Sequence, residues 1–261
     1  CKFLYWAFLN TNEEVSETFT MDAVDIYLFA VYDTGVNTRF ELTDDGYYIP
    51  TSTDGKVTQT RFSDYTLNDG EIYSVDMTLP ADWSTYTDDC GPVFSATAFN
   101  EKGTTFIGAP YVTMFISAPT KANGAIEFWG DVDTPNGSVD AQLIARYRLG
   151  GDLLKDTPYE KKMLAYQESD EEATFTLTYR RVERTVDGVT KISYYIGIDG
   201  IEYICLTTGE VAVRYSEISN AANAFSTKHT GNIVGLRAKT KGVKYSNITV
   251  KKASELNVKF Y

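Results

Sequence analysis

Histidine and cysteine are nearly missing from these 261 residues: there is one histidine, His229, and there are three cysteines, Cys1, Cys90 and Cys205. A zinc centre built on several histidines is therefore excluded. So is a miniature fold stapled by disulfides, because three cysteines close at most one bridge. Long apolar runs are missing too. None approaches the roughly 18 consecutive apolar residues that a helical membrane span needs, so membrane insertion of this chain is not expected. Positive charge is the minority sign, with 24 Lys and Arg against 36 Asp and Glu and a net charge of −12. A surface that acidic repels nucleic acid and anionic lipid, which sets both aside as partners. No Gly-x-Ser-x-Gly elbow and no phosphate-cradling glycine loop occurs.

What the chain has in quantity is aromatic residues: 19 tyrosines and 14 phenylalanines, within 43% hydrophobic and 23% charged residues. The balance is that of a globular protein. The rings favour strands, because they pack well on a pleated, half-buried surface. At roughly 150 residues per domain, the length suggests one large domain with something small beside it.

Turn signals are dense. Asp45-Gly46, Asp54-Gly55, Asp69-Gly70, Asn123-Gly124, Asn136-Gly137, Asp187-Gly188 and Asp199-Gly200 all supply the positive-φ pairs of tight hairpins. Between them run alternating segments. In 72–79, Tyr73, Val75, Met77 and Leu79 fall on one side and Ser74, Asp76 and Thr78 on the other; Phe175, Leu177 and Tyr179 alternate with threonines in the same way. Such alternation marks antiparallel strands with one buried face. The more uniformly apolar segments 93–99 and 111–118 are expected nearer the core. Two hairpins are predicted, 193–205 about Asp199-Gly200, and 233–251 about Lys241-Gly242. Helix is scarce: 216–225 reads as a short helix capped by Ser216, and 156–172 as an exposed loop that Thr157-Pro158 could open as a brief helix. Many short strands without helical crossovers predict an all-β protein, an antiparallel β-sandwich or jelly roll.

The first 33 residues differ from the rest and are too few to bury a core alone. Two strands are expected there, Phe3 to Ala7 and Val24 to Tyr32. The stretch from Thr20 to Tyr32 resembles the closing strand of the internalin-type B-repeat, a small β-grasp module of bacterial surface proteins, and Phe3 to Trp6 resembles its aromatic strand. Asp22 stands where that repeat usually has proline, and Tyr32 where it often has tryptophan. With the front half of the repeat absent, the chain reads as a fragment of something longer, and Cys1 as an accident of truncation; a lipid-bearing N-terminus is the competing reading. Residues 1–33 are thus taken as the tail of a B-repeat-like module and 34–261 as the large domain.

That large domain resembles the concanavalin A-like lectin/glucanase superfamily, which includes laminin-G-like modules. The likeness rests on the order of the strand Glu71 to Leu79, the segment Gly91-Pro92-Val93-Phe94-Ser95, the hairpin about Asp199-Gly200, and the ending Val234-Gly235-Leu236-Arg237-Ala238 with Val243-Lys244-Tyr245-Ser246-Asn247-Ile248. It implies a sandwich. It does not select among carbohydrate-binding modules, hydrolases, adhesins and spacers.

Hydrolases of that superfamily carry two glutamates about an aspartate on one strand, and no such run is present. The nearest is Glu127-Phe128-Trp129-Gly130-Asp131-Val132-Asp133, in which Glu127, Trp129, Asp131 and Asp133 share one face of a strand. At about 3.3 Å per residue, Glu127 and Asp131 lie some 13 Å apart, far beyond the roughly 5–5.5 Å of a retaining pair. The chain is therefore not expected to be an enzyme. Asp131, Asp133 and Asn136 offer hard oxygens at short spacing near a turn and suit Ca2+ as a candidate cofactor; a solvated acidic face is the plain alternative. Asp88-Asp89 is a weaker acidic pair. His229, in a polar segment, reads as a surface residue, Cys90 among acidic neighbours as an unreactive thiol, and Cys205 as a core residue.

Aromatic faces that stack on a pyranose, with carboxylates to take its hydroxyls, are sought for a sugar site. The loop containing Trp83, Tyr86 and Asp88 is one candidate and Trp129 with Glu127 another, packing being the competing role for each ring. Tyr47-Tyr48 is a third. The expected function is a non-catalytic carbohydrate-binding or adhesive module of a bacterial cell-surface protein. It would be extracellular, monomeric as isolated, with a glycan or host glycoprotein as partner; a host-protein-binding adhesin domain and a glycoside hydrolase are the alternatives. Two sequons, at Asn136 and Asn247, would matter only in a eukaryotic host.

Overall fold

The structure, a computed structural model, describes residues 2–8, 28–33, 40–51, 58–87, 90–97, 110–212, 224–240 and 242–253. Strands β1 (Lys2–Phe8) and β2 (Leu28–Asp33) pair antiparallel, Lys2 opposite Asp33, as a two-stranded sheet of their own. The short strands β3 (Phe40–Leu42) and β4 (Tyr48–Pro50) follow, then the longer β5 (Thr58–Thr66) and β6 (Glu71–Leu79). After a 3-10 turn at Trp83–Thr85 come β7 (Gly91–Ala96), β8 (Val112–Ile116), β9 (Ile126–Thr134) and β10 (Gly137–Tyr147). Helix α1 (Pro158–Gln167) separates these from β11 (Ala173–Val186), β12 (Val189–Ile198) and β13 (Ile201–Thr207). The last strands are β14 (Ala224–Phe225), β15 (Ile233–Ala238) and β16 (Lys244–Lys252).

From β3 onward the strands form two antiparallel sheets packed face to face. One runs β13-β12-β11-β6-β16-β4-β3; the other runs β10-β9-β8-β7-β15-β5, with β14 added beside β9. The alternation read from sequence decides which side of each strand faces the shared core: Tyr73, Val75, Met77 and Leu79 of β6 are buried, and so are Phe175, Leu177 and Tyr179 of β11. Rings join the layers. Phe94 of β7 lies 4.7 Å from Tyr179 and 4.9 Å from Tyr194, and the Tyr73 hydroxyl donates to the carbonyl of Gly235 across the core at 3.0 Å. Burying those hydroxyls is tolerable only because each finds an acceptor. The β-sandwich expected from sequence is present. Its β11–β12 and β12–β13 hairpins turn on Asp187-Gly188 and Asp199-Gly200, both residues of each pair having positive φ, as a two-residue turn of this hand requires.

Three expectations are corrected. The segments 233–238 and 244–252 are strands, but they do not form a hairpin: β15 pairs with β5 and β7, whereas β16 pairs with β6 and β4 in the other layer. Both bury apolar residues (Val234 and Leu236 in the first, Tyr245 in the second) toward one core, which two strands can do from opposite sheets as well as from the same one. Residues 158–167 form an ordered helix, not an exposed loop. Thr157 caps it by accepting from the Glu160 N–H, Pro158 stands where a missing N–H costs nothing, and Tyr159, Met163 and Tyr166 line its buried side. Glu160 closes the start: its carboxylate accepts from the Asp156 N–H at 2.7 Å and from the Gly150 N–H. Of the helix expected over 216–225, residues 216–223 lie outside the described residues and Phe225 belongs to β14. Cys205 is half-buried rather than a core residue.

Candidate functional site

The residues of β9 that face away from the core carry the chemistry. Strand β10 returns beside it from the Asn136-Gly137 turn, starting in register with Gly137 opposite Thr134, but the pairing slips twice, between Val139 and Gln142 and between Leu143 and Ala145. Counted straight from the turn, Glu127 would oppose residue 144. The two bulges bring Arg146 there instead. Glu127 is only 2% exposed, and both its oxygens are engaged: Arg146 Nε donates to Oε1 and Trp129 Nε1 to Oε2, each at 2.8 Å. A buried carboxylate persists when it is paired and hydrogen-bonded in this way.

Further along the face, the first bulge places Asp140 against Asp131. Burial, then the Asp140 carboxylate and a hydrogen bond to it, push the Asp131 carboxyl up to about 6, with Lys228 pulling the other way. Asp133 is held differently. Burial works against its charge, but the Ser226 hydroxyl donates to Oδ1 at 2.6 Å, and the Thr227 N–H and hydroxyl donate to Oδ2 at 2.7 and 2.9 Å. These bonds win and hold its carboxyl below the ordinary value. Asn136 sits exposed at the hairpin tip, where its N–H donates to Thr134 Oγ1. Asp133 is thus occupied by protein donors and Asn136 stands apart from Asp131. Among the described residues no group of three or more His, Cys, Asp or Glu side chains is gathered to hold a metal ion.

His229 is not a surface residue but fully buried, stacked at 4.6 Å on Phe225. Strand β8 pairs with β9 as far as Trp129 and β14 takes over at Val132, leaving the backbone of Asp131 between them; His229 Nε2 fills that gap at 3.1 Å from both the amide N and the carbonyl O of Asp131. Burial depresses its pKa to about 4, so the ring is neutral near pH 7.

The other aromatic candidate fails on burial. Trp83 is 8% exposed and stacked on the equally buried Tyr86 with centroids 5.1 Å apart; Tyr166 of α1 packs edge-on at 5.5 Å, and the indole N–H donates to Asn123 Oδ1. The Tyr86 hydroxyl donates to the Ile116 carbonyl. These rings pin the 80–87 segment to the sandwich and offer no face to a ligand. Asp88 and Asp89 lie outside the described residues. Tyr47 is half-buried under Lys244, whose ammonium lies 5.6 Å from the ring. Trp129 differs from Trp83: it is half-buried, and no second ring packs on it among the described residues.

No protein-family model matches this chain, and no curated protein matches it. The chemistry of β9 and β10 therefore has to be weighed on its own. Arg146, Asp140 and the 226–229 segment were missed by sequence reasoning. The bulges decide the first two, and nothing local in the sequence announces a bulge; His229 is set by a strand 98 residues earlier.

Proposed function

We propose that this chain is a non-catalytic carbohydrate-binding or adhesive module, with a concanavalin A-like sandwich, of an extracellular bacterial surface protein. The observation that carries the reading is the half-buried Trp129 ring, with no other ring packed on it among the described residues and its N–H edge fixed by Glu127, on the face of β9 turned away from the core. A ring so placed supplies the flat apolar surface that a pyranose stacks on. Against hydrolysis stands the geometry of the acids. Glu127, one of the carboxylates on this face of β9, has both oxygens held by Arg146 and Trp129. The calcium part of the reading rests on Asp131, because Asp133 is already engaged.

Calorimetric titration and a glycan array, each run with Ca2+ and with chelator, test it. Saturable binding to a defined glycan is expected, and none under either condition would defeat the proposal. Turnover of a labelled polysaccharide, lost in Asp131→Ala, would establish the hydrolase alternative instead. The adhesin alternative draws on the β11–β12 hairpin tip, where Val186 and Val189 oppose each other and are both exposed. Capture of a host matrix protein, insensitive to free sugars and to glycosidase treatment, would favour it. No helix among the described residues is long and apolar enough to cross a membrane.

A further inference from the structure

Glu127 and Trp129 are joined by a third residue whose free end points to a more specific assignment. Arg146 spends only its Nε on Glu127; its side chain keeps 21% of its surface, and its two terminal amino groups make no hydrogen bond among the described residues. A guanidinium engaged through Nε keeps an end-on fork of two terminal nitrogens, with parallel N–H groups fixed in one plane. Leu143, half-buried, stands opposite Trp129 on β10, so ring, fork and aliphatic edge share one patch across two strands.

We propose that Trp129 and Arg146 form a subsite for a neutral pyranose, with Glu127 as the positioning residue that sets both. The sugar's apolar face lies on the indole, and two adjacent hydroxyls accept from the two terminal nitrogens of Arg146. This deepens the carbohydrate-binding reading above and rests on it.

Charge decides neutral over acidic sugars. Glu127 cancels Arg146 locally, Asp131, Asp133 and Asp140 lie further along the same two strands, and the whole chain carries −12. A uronate or sialate brought to this patch meets three carboxylates along the same two strands and a guanidinium whose charge Glu127 already cancels. A neutral sugar meets no such penalty.

The test is a titration of the full chain with neutral probes (cello-, malto- and galacto-oligosaccharides) and anionic ones (oligogalacturonate and sialyllactose), read by calorimetry and tryptophan fluorescence. A neutral probe is expected to bind and to shift the emission. Trp129→Phe is expected to abolish that shift and, like Arg146→Lys, to weaken binding at least 10-fold. Arg146→Lys keeps a cation for Glu127 and loses the fork, so its melting temperature should stay close to that of the parent and its loss of binding is not a loss of fold. Neutral-sugar binding unchanged in both variants overturns the subsite and leaves the carbohydrate-binding reading standing. Binding confined to the anionic probes overturns the neutral assignment, and binding of no probe or arrayed glycan overturns both.

Discussion

Nε2 of His229 lies 3.1 Å from both the amide nitrogen and the carbonyl oxygen of Asp131, so a side chain completes a sheet at the point where two neighbouring strands leave a gap. The two residues titrate in opposite senses. His229 has a folded pKa of about 4, below its ordinary 6.5, so between those values the unfolded chain binds the extra proton and folding weakens as pH falls. At its limit that shift corresponds to about 3 kcal/mol. Asp131 has its pKa raised to about 6, so below that value the folded chain holds the extra proton and folding gains as pH falls.

The two effects oppose each other through the same acid range. His229→Gln removes one of them, so the variant is expected to be less stable than the parent at pH 7 and to close most of that difference by pH 4. Urea unfolding at several pH values measures this. A stability gap that stays constant from pH 7 to pH 4 would show that the ring does not carry the burial described here.

Trp83→Ala should cost about 3–5 kcal/mol, because it removes a buried ring stacked on Tyr86 and packed against Tyr166, and leaves Asn123 without its donor. Trp83→Phe should cost visibly less. Thermal or denaturant unfolding reads both.

Two glycines should respond very differently to alanine. At Gly91 an added Cβ would run into the Met114 carbonyl, and no rotamer change relieves a clash with backbone. Gly91→Ala is expected to cost about 3 kcal/mol or more, and to open the β7–β8 edge to amide exchange. At Gly200 the space is open and only the positive φ is at stake, so Gly200→Ala should cost about 1 kcal/mol.

Glu160→Ala strips the acceptor from two backbone N–H groups ahead of α1, those of Gly150 and Asp156. A loss of about 1–3 kcal/mol is expected, with Glu160→Gln intermediate because it keeps one acceptor oxygen. Denaturant midpoints settle the order.

The sandwich was legible because alternation and positive-φ turns are local: β6, β11 and the Asp199-Gly200 hairpin can be read from a dozen residues each. Helix α1 was not, because its buried side includes a charged residue, Glu160, beside Tyr159, which blurs the apolar spacing. The site was half legible. Strand periodicity correctly gathered Glu127, Trp129, Asp131 and Asp133 on one face, yet their partners Arg146, Asp140 and Ser226 depend on bulges and on segments distant in the chain. Trp83 misled for a related reason: polar neighbours in sequence suggested solvent, whereas its neighbours in space are rings.

Strand β16 ends the described chain, yet it lies inside its sheet, between β6 and β4, and its partner β6 precedes it by more than 160 residues. A polypeptide that leaves the ribosome with its amino end leading cannot finish that layer until residue 252 has emerged. Closure of the sandwich therefore comes late in synthesis, after most of the strands that precede it are already exposed.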